Sequence, residues 1–252
     1  MDEFPRAIRI GLAGWSEAVS RCRSFLPEAS PGATGLQRYA GAFDFVEINT
    51  TFYRQVRAST CAKWAADTPD AFLFSVKMNR LVTHYTRLKN TALLDGFFRS
   101  VAGLGDKLAA VLVQLPPKLA FDAAVAGNFF TALRKRYDGC AVCEPRHASW
   151  RERDALALLA DHGVAPVLVD IPDGKIAPGP VYVRLHGAPR RYYSSYSEEQ
   201  LRSLAIFLRR RKDCDRFVVF DNTASSAAVR NALELQRFLD KKPKTPHQHH
   251  LS

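Results

Sequence analysis

The strongest constraint on this chain is an alternation. Short runs rich in β-branched and aromatic residues recur at 8–10, 43–48, 72–76, 109–115, 140–143, 166–169, 181–185 and 217–220. Several are continuously apolar, as strands covered on both faces of a parallel sheet are. Helical segments lie between most of them, at 60–67, 91–104, 123–136, 151–160 and 224–239. Leu93, Leu94, Phe97, Phe98 and Val101 mark one apolar stripe. Ser197 stands three residues before Gln200, with Glu198 and Glu199 between, a capping box that opens a helix to about Arg210. Eight strands alternating with helices predict βαβ units and an α/β, TIM-like (β/α)8 barrel, a fold of about 250 residues. The connection between strands six and seven, IPDGKIAPG at 171–179, is too short and too rich in proline and glycine for a crossover helix, so it is expected to be irregular. A doubly wound sheet is the competing fold, but Gly11-Leu-Ala-Gly14-Trp15 lacks the GxGxxG spacing. With no Gly/Ser linker or break in composition, residues 1–240 read as a single domain and 241–252 as a polar tail. The tail's His247, His249 and His250 read as solvated rather than as metal ligands.

Composition narrows the class. Lys and Arg number 36 against 25 acids, a formal charge of +11, and part of that excess lies in the runs Arg209–Lys212 and Lys241–Lys244. Charge of this kind speaks to steering and non-specific attraction. An enzyme acting on a small anionic, phosphorylated or sugar-like molecule in a basic pocket is the leading reading, with a nucleic-acid binding or processing protein and a non-catalytic small-molecule binder as the alternatives. Five cysteines cannot all pair, and Cys140-Ala-Val-Cys143 lies inside an apolar run where i and i+3 face apart. It reads as structural. The opening residues do not resemble a signal peptide, and no run approaches the roughly 20 apolar residues of a membrane helix. A soluble cytoplasmic protein is the expectation.

The functional signal is positional. In such barrels the strand C-termini carry the site, and here nearly every strand ends in a polar residue. Glu47 and Asn49 close strand two, with Tyr53 beyond. Lys77 closes strand three, followed by His84, and Gln114 closes strand four. Glu144, Arg146 and Trp150 follow strand five, and Asp170 follows strand six. Arg184 and His186 share one face of strand seven, and Asp221 and Asn222 follow strand eight. Buried charges must pair or do chemistry. The acid–base candidates are Glu47, Glu144, Asp170 and His186, with Lys77 as a nucleophile or anion holder. Arg146 and Arg184 make the mouth positive, and Asn49, Tyr53, His84, Gln114, Trp150, Asp221 and Asn222 complete the candidate binding set. Arg190 to Tyr196, RRYYSSY, reads as a lid that brings Tyr193 to the mouth. Plainer readings stand beside these. Asn222 can cap the last helix, Glu144 and Arg146 can form a structural ion pair, and Tyr53 and Trp150 can be rim packing. Glu144, Asp170 and His186 have the donor types for a divalent metal, with no motif behind them. The cofactor stays unknown.

The same motifs carry a resemblance. Gly14-Trp15, the run VEINTTFY at 46–53, FSVK at 74–77 with Thr83-His84, QLPP at 114–117, EPRH at 144–147 with Ser149-Trp150, YVRLHG at 182–187 and FDNT at 220–223 resemble the YecE-like family, domain of unknown function 72. The resemblance spans roughly residues 8–239. It implies a TIM-like barrel and leaves the reaction open. The segment SEAVSRCRSFLP after Trp15 departs from the family pattern, as does Asp221-Asn222 where two asparagines are common. The first loop is thus expected to shape the pocket differently.

Overall fold

The computed structural model describes residues 7–28, 30–172 and 179–240. Nine strands occur among them: β1 (Ile8–Leu12), β2 (Phe45–Ile48), β3 (Leu73–Lys77), β4 (Leu108–Gln114), β5 (Cys140–Glu144), β6 (Val164–Pro166), β7 (Leu168–Val169), β8 (Val181–Leu185) and β9 (Arg216–Phe220). All pair in parallel, in two sheets ordered β2-β3-β4-β5-β6 and β1-β9-β8-β7. The expected parallel α/β architecture is present. A closed barrel is not found among the described residues, and the reasons are local.

Between β1 and β2 only the bridge Ala13–Glu47 forms. The Tyr39 hydroxyl sits at this seam, accepting from the Leu12 N–H at 2.9 Å and donating to the Phe45 carbonyl at 2.9 Å. A side chain thus takes the place of a ladder bond. Gly11 permits the close approach, because a Cβ there would stand 2.0 Å from the Phe45 oxygen. At the second seam the strand expected at 166–169 is divided. Val164–Pro166 pairs with β5, Val167 N–H donates to the Cys143 carbonyl at 2.8 Å, and Leu168–Val169 pairs with β8. Pro166 has no N–H with which to continue a ladder. One extended segment therefore serves both sheets in turn.

Six expected helices form, at Ala58–Ala66, Leu93–Val101, Ala123–Arg134, Arg153–Asp161, Glu198–Arg210 and Ala227–Asp240. The capping box is made on both sides, with Gln200 N to Ser197 Oγ at 3.3 Å and Ser197 N to Gln200 Oε1 at 2.9 Å. No helix occurs between β7 and β8 among the described residues; 173–178 of that connection lie outside them, as does the tail from 241 with its three histidines. Short helices at Ser16–Arg21, Gly35–Ala40 and Thr50–Tyr53, and a π-helical turn at Leu81–Tyr85, were not expected. No described helix is long and apolar enough to cross a membrane.

The pleat sorts the strand residues into two cores. Phe45, Ala110, Leu112, Val142, Ala165, Tyr182, Phe217 and Val219 form a small core to which both sheets contribute. Their neighbours, such as Val46, Val111, Ala141 and Cys143, join the larger core beneath the helices. Each fully buried Val, Leu or Phe there contributes roughly 1.5–3 kcal/mol. Cys140 packs against the small core and Cys143 in the large one, so the CxxC pair faces apart and both thiols are free. Followed two residues further, the inner face turns polar: Phe45 leads to Glu47, Ser75 to Lys77, Val142 to Glu144, Tyr182 to Arg184 and His186, and Val219 to Asp221.

Candidate active site at the strand C-termini

Arg184 is the centre of this polar layer and is fully buried. Its Nε donates to Glu47 Oε2 at 3.1 Å and its Nη1 to Glu144 Oε2 at 2.5 Å. Its Nη2 donates to Glu47 Oε1 at 2.8 Å and to Asp221 Oδ2 at 3.1 Å. Four of the roughly five N–H directions of a guanidinium are thereby taken. Tyr182 Oη donates to Glu47 Oε2 at 2.9 Å and stands 2.7 Å from Ser75 Oγ. The carboxylates thus come from β2, β5 and the end of β9, and the guanidinium from β8. A planar fork that meets several carboxylates at once is arginine chemistry; a lysine would not replace it.

His186, two residues on, lies between two of the same acids. Its Nδ1 is 2.9 Å from Asp221 Oδ2 and its Nε2 is 3.3 Å from Glu144 Oε1. Burial works against its charged form, but the hydrogen bonds to Asp221 and Glu144 prevail and raise its pKa. Burial likewise works against ionised Glu144 and Asp221, yet Arg184 and His186 hold both below the usual carboxylate range.

The accessible edge is cationic. Arg146 Nε lies 3.5 Å and Arg191 Nη2 3.9 Å from Glu144 Oε1. Arg146 Nη2 also donates to the Tyr192 hydroxyl at 3.3 Å. The Lys77 ammonium stands 4.4 Å from the Phe52 ring centroid and has no hydrogen bond or ion pair with a described residue. Burial, then Arg184, lowers its pKa against the pull of Glu47, Asp221 and Glu144. His84 packs edge-on against the same Phe52 ring, 5.0 Å between centroids, and its Nδ1 lies 2.9 Å from Thr83 Oγ1. Burial, Lys77 and Arg146 lower its pKa.

The sequence brought Glu47, Glu144, Lys77, Arg146, Arg184, His186 and Asp221 to one place, with His84 beside them. Other candidates lie elsewhere. Asp170 Oδ1 accepts from His186 N at 3.0 Å and from the Tyr196 hydroxyl, so this carboxylate anchors the segment after β8. Asp170, Glu144 and His186 do not form a metal-binding group, and no such group of three or more ligands occurs among the described residues. Asn222 Nδ2 donates to Ser194 O at 3.0 Å and to Asn231 Oδ1 at 3.1 Å, holding the same segment. Tyr193 is exposed beneath Arg190, 3.9 Å from the guanidinium carbon. Gln114 is buried and donates to the Leu115 carbonyl. Trp150 is buried, donating to Leu119 O at 2.9 Å and packing edge-on to Phe121. Asn49 precedes the helix Thr50–Tyr53, its Oδ1 buried without a partner among the described residues, and Tyr53 points out to solvent. Sequence reasoning put Arg191, Tyr192 and Tyr196 in the covering segment and Tyr182 behind Arg184 without singling them out as site residues, and it missed Ser75 and Asn231. Only Tyr182, two residues before Arg184, carried a periodic signal.

Fold and site together define a parallel α/β protein with a buried ionic lattice at its strand C-termini. The chain belongs to the family described as Protein of unknown function DUF72, which matches residues 9–251. It is 26% identical to the UPF0759 protein YunF of Bacillus subtilis (strain 168), over 92% of this chain and 95% of that protein. The UPF0759 protein YecE of Escherichia coli (strain K12) is 30% identical over 43% of this chain and 38% of its own length. The crystal structure of a DUF72 family protein from Thermotoga maritima MSB8 is 27% identical, with a TM-score of 0.76 over 94% of this chain and 100% of that one. One from Enterococcus faecalis V583 shares the fold at 21% identity, TM-score 0.75, over 94% and 97% of the two chains.

Proposed function

We propose that the two sheets act as halves of one TIM-like barrel, and that their strand C-termini form the active site of an enzyme for a small anionic substrate, working by acid–base chemistry. The shared inner core supports the barrel reading, and barrels of this kind carry their sites at that end. The observation that carries the function is the contrast among the cations. Four N–H groups of Arg184 are taken by three carboxylates, whereas the Lys77 amine at the same layer has no polar partner among the described residues. In this reading Arg146 and Arg191 hold the anionic group. Lys77 is the catalytic residue that takes or delivers a proton, its lowered pKa leaving a larger neutral fraction for the task. Glu47, Glu144, Arg184 and His186 are positioning residues that fix the field around Lys77 and Asp221. Phosphorylated sugars and hydroxy acids are the substrate classes that suit such a mouth.

The test is conversion of a panel of sugar phosphates and hydroxy acids in deuterated buffer, followed by proton and phosphorus NMR. The intact protein should convert, or exchange a proton in, at least one compound. Lys77→Met should abolish that signal while the melting temperature holds. Unchanged turnover in Lys77→Met overturns the assignment.

A further inference from the structure

A groove of about 530 Å³ opens among the segments that follow β2 and β3. That volume lies within the roughly 300–1,000 Å³ of small-molecule sites. Its walls include Tyr53, Arg54, Arg80, Tyr85, Phe97 and Arg99, and no lining residue is acidic. Tyr53 and Tyr85 are 63% and 64% exposed. Single exposed aromatics need no explanation, but these two share one cation. The Arg80 guanidinium carbon lies 5.6 Å from the Tyr53 ring centroid and 5.5 Å from that of Tyr85. Contacts of this range hold a guanidinium in place. No guanidinium of Arg54, Arg80 or Arg99 has a hydrogen bond or ion pair with a described residue. The carboxylate nearest in sequence to Arg99, Asp95, is already bonded by Arg136 through both oxygens, at 2.6 and 3.0 Å.

The backbone here is unusual as well. Leu81–Tyr85 winds as a π-helical turn and is followed by two non-glycine residues in the left-handed region, Arg87 at φ 48° and Leu88 at φ 67°. π-turns and left-handed non-glycine residues gather at functional sites, because the rest of the fold must hold them. Buried Val82, Thr83 and Leu88 do so here, with Leu88 N–H donating to Val82 O at 3.0 Å. The groove lies apart from the ionic lattice in its lining, yet is tied to it. Asn79 Nδ2 donates to Thr51 O at 3.0 Å, and Thr51 Oγ1 to the Lys77 carbonyl at 2.7 Å.

We propose that this groove is a second binding site, for a nucleoside phosphate. The exposed tyrosine faces stack the planar base, and the three unpaired arginines take the phosphate. Base stacking on an aromatic face and a guanidinium–phosphate contact are both strong enough for each to matter on its own. The proposal stands independently of the acid–base reading of Lys77.

Calorimetric titration of the full chain with AMP tests it, beside adenosine, ribose 5-phosphate and an eight-residue oligothymidylate. AMP should bind, with adenosine and ribose 5-phosphate each at least about tenfold weaker. Tyr85→Ala and Arg80→Met, both at the surface, should each weaken AMP by about tenfold with the melting temperature unchanged. Lys77→Met should bind AMP as the wild type does. Absence of AMP binding at millimolar concentration overturns the proposal, as does equal affinity for ribose 5-phosphate. Loss in Lys77→Met with retention in the groove variants does the same, placing AMP in the ionic lattice. Oligothymidylate binding that is far tighter than AMP and lost in the groove variants also overturns it, assigning the groove to single-stranded nucleic acid.

Discussion

Arg184, Glu47, Glu144 and Asp221 form one electrostatic unit, and its members cannot be changed one at a time without consequence. Removing one partner of a buried pair typically costs about 3–5 kcal/mol, because the other charge is left uncompensated. The unit also sets how stability depends on pH. Glu144 and Asp221 have folded pKa values below their unfolded ones. Their contribution is complete above the unfolded carboxylate value, about 4, and fades as pH falls through the lower folded values. His186 is shifted upward, so its contribution is complete below the unfolded histidine value, about 6.5, and is lost as pH rises through the folded value. Urea midpoints measured from pH 3 to 9 should therefore be highest between about 4.5 and 6.5. A His186→Asn variant should lose the decline on the alkaline side of that window; a decline that survives unchanged would show it has another source. The period-two spacing of Arg184 and His186 was legible in the sequence, and so was their face. Their roles were not. Whether a guanidinium meets substrate or carboxylate depends on Glu47, 137 residues away along the chain, and no local pattern reports that.

The segment after β8 behaves as one element held at several points. Tyr196 Oη accepts from Gly187 N at 2.7 Å and reaches Asp170, while Asn231 Oδ1 accepts from Tyr196 N at 3.1 Å. This fastening delivers Tyr192 and Arg191 to the mouth. Gly187 makes the reversal possible, with φ 88° and a position where a Cβ would stand 2.7 Å from the Ser194 carbonyl. Gly187→Ala should destabilise by about 1–3 kcal/mol and make 188–196 a site of faster proteolysis in the folded protein. Unchanged cleavage there would mean that the segment does not depend on this turn. RRYYSSY reads from the sequence as a covering segment, since aromatic and basic residues directly follow a strand end; the structure brings its Arg191 and Tyr192, rather than the expected Tyr193, beside Glu144 and Arg146. Its anchors Asp170 and Asn222 read as site residues, because a polar strand end looks alike whether it faces a substrate or a backbone N–H. The π-turn at 81–85 left no periodic trace, being a single turn set by the packing around it.

At the scale of the molecule, alternation predicted parallel pairing and the position of the polar layer, and it did not predict the seams. Those depend on a tyrosine hydroxyl and on a proline that ends a ladder. Tyr39→Phe should strand the Leu12 N–H and the Phe45 carbonyl, costing about 1–3 kcal/mol for each group left unsatisfied. Hydrogen exchange should accelerate at Leu12 before it does in β4, at the middle of the five-stranded sheet. Uniform acceleration would show instead that the seam opens only with global unfolding. The strand order has a consequence in time. β1 pairs with β9, across nearly the whole chain, and such distant closures are slow to form. On the ribosome, β1 has no ladder partner among the described strands until β9 emerges. Glu47 and Glu144, already synthesised on the five-stranded side, have no Arg184 to neutralise them until β8 follows. The early half of the nascent chain therefore presents Glu47 and Glu144 with partial compensation from Lys77 and Arg146, which disfavours full burial of that face until Arg184 arrives.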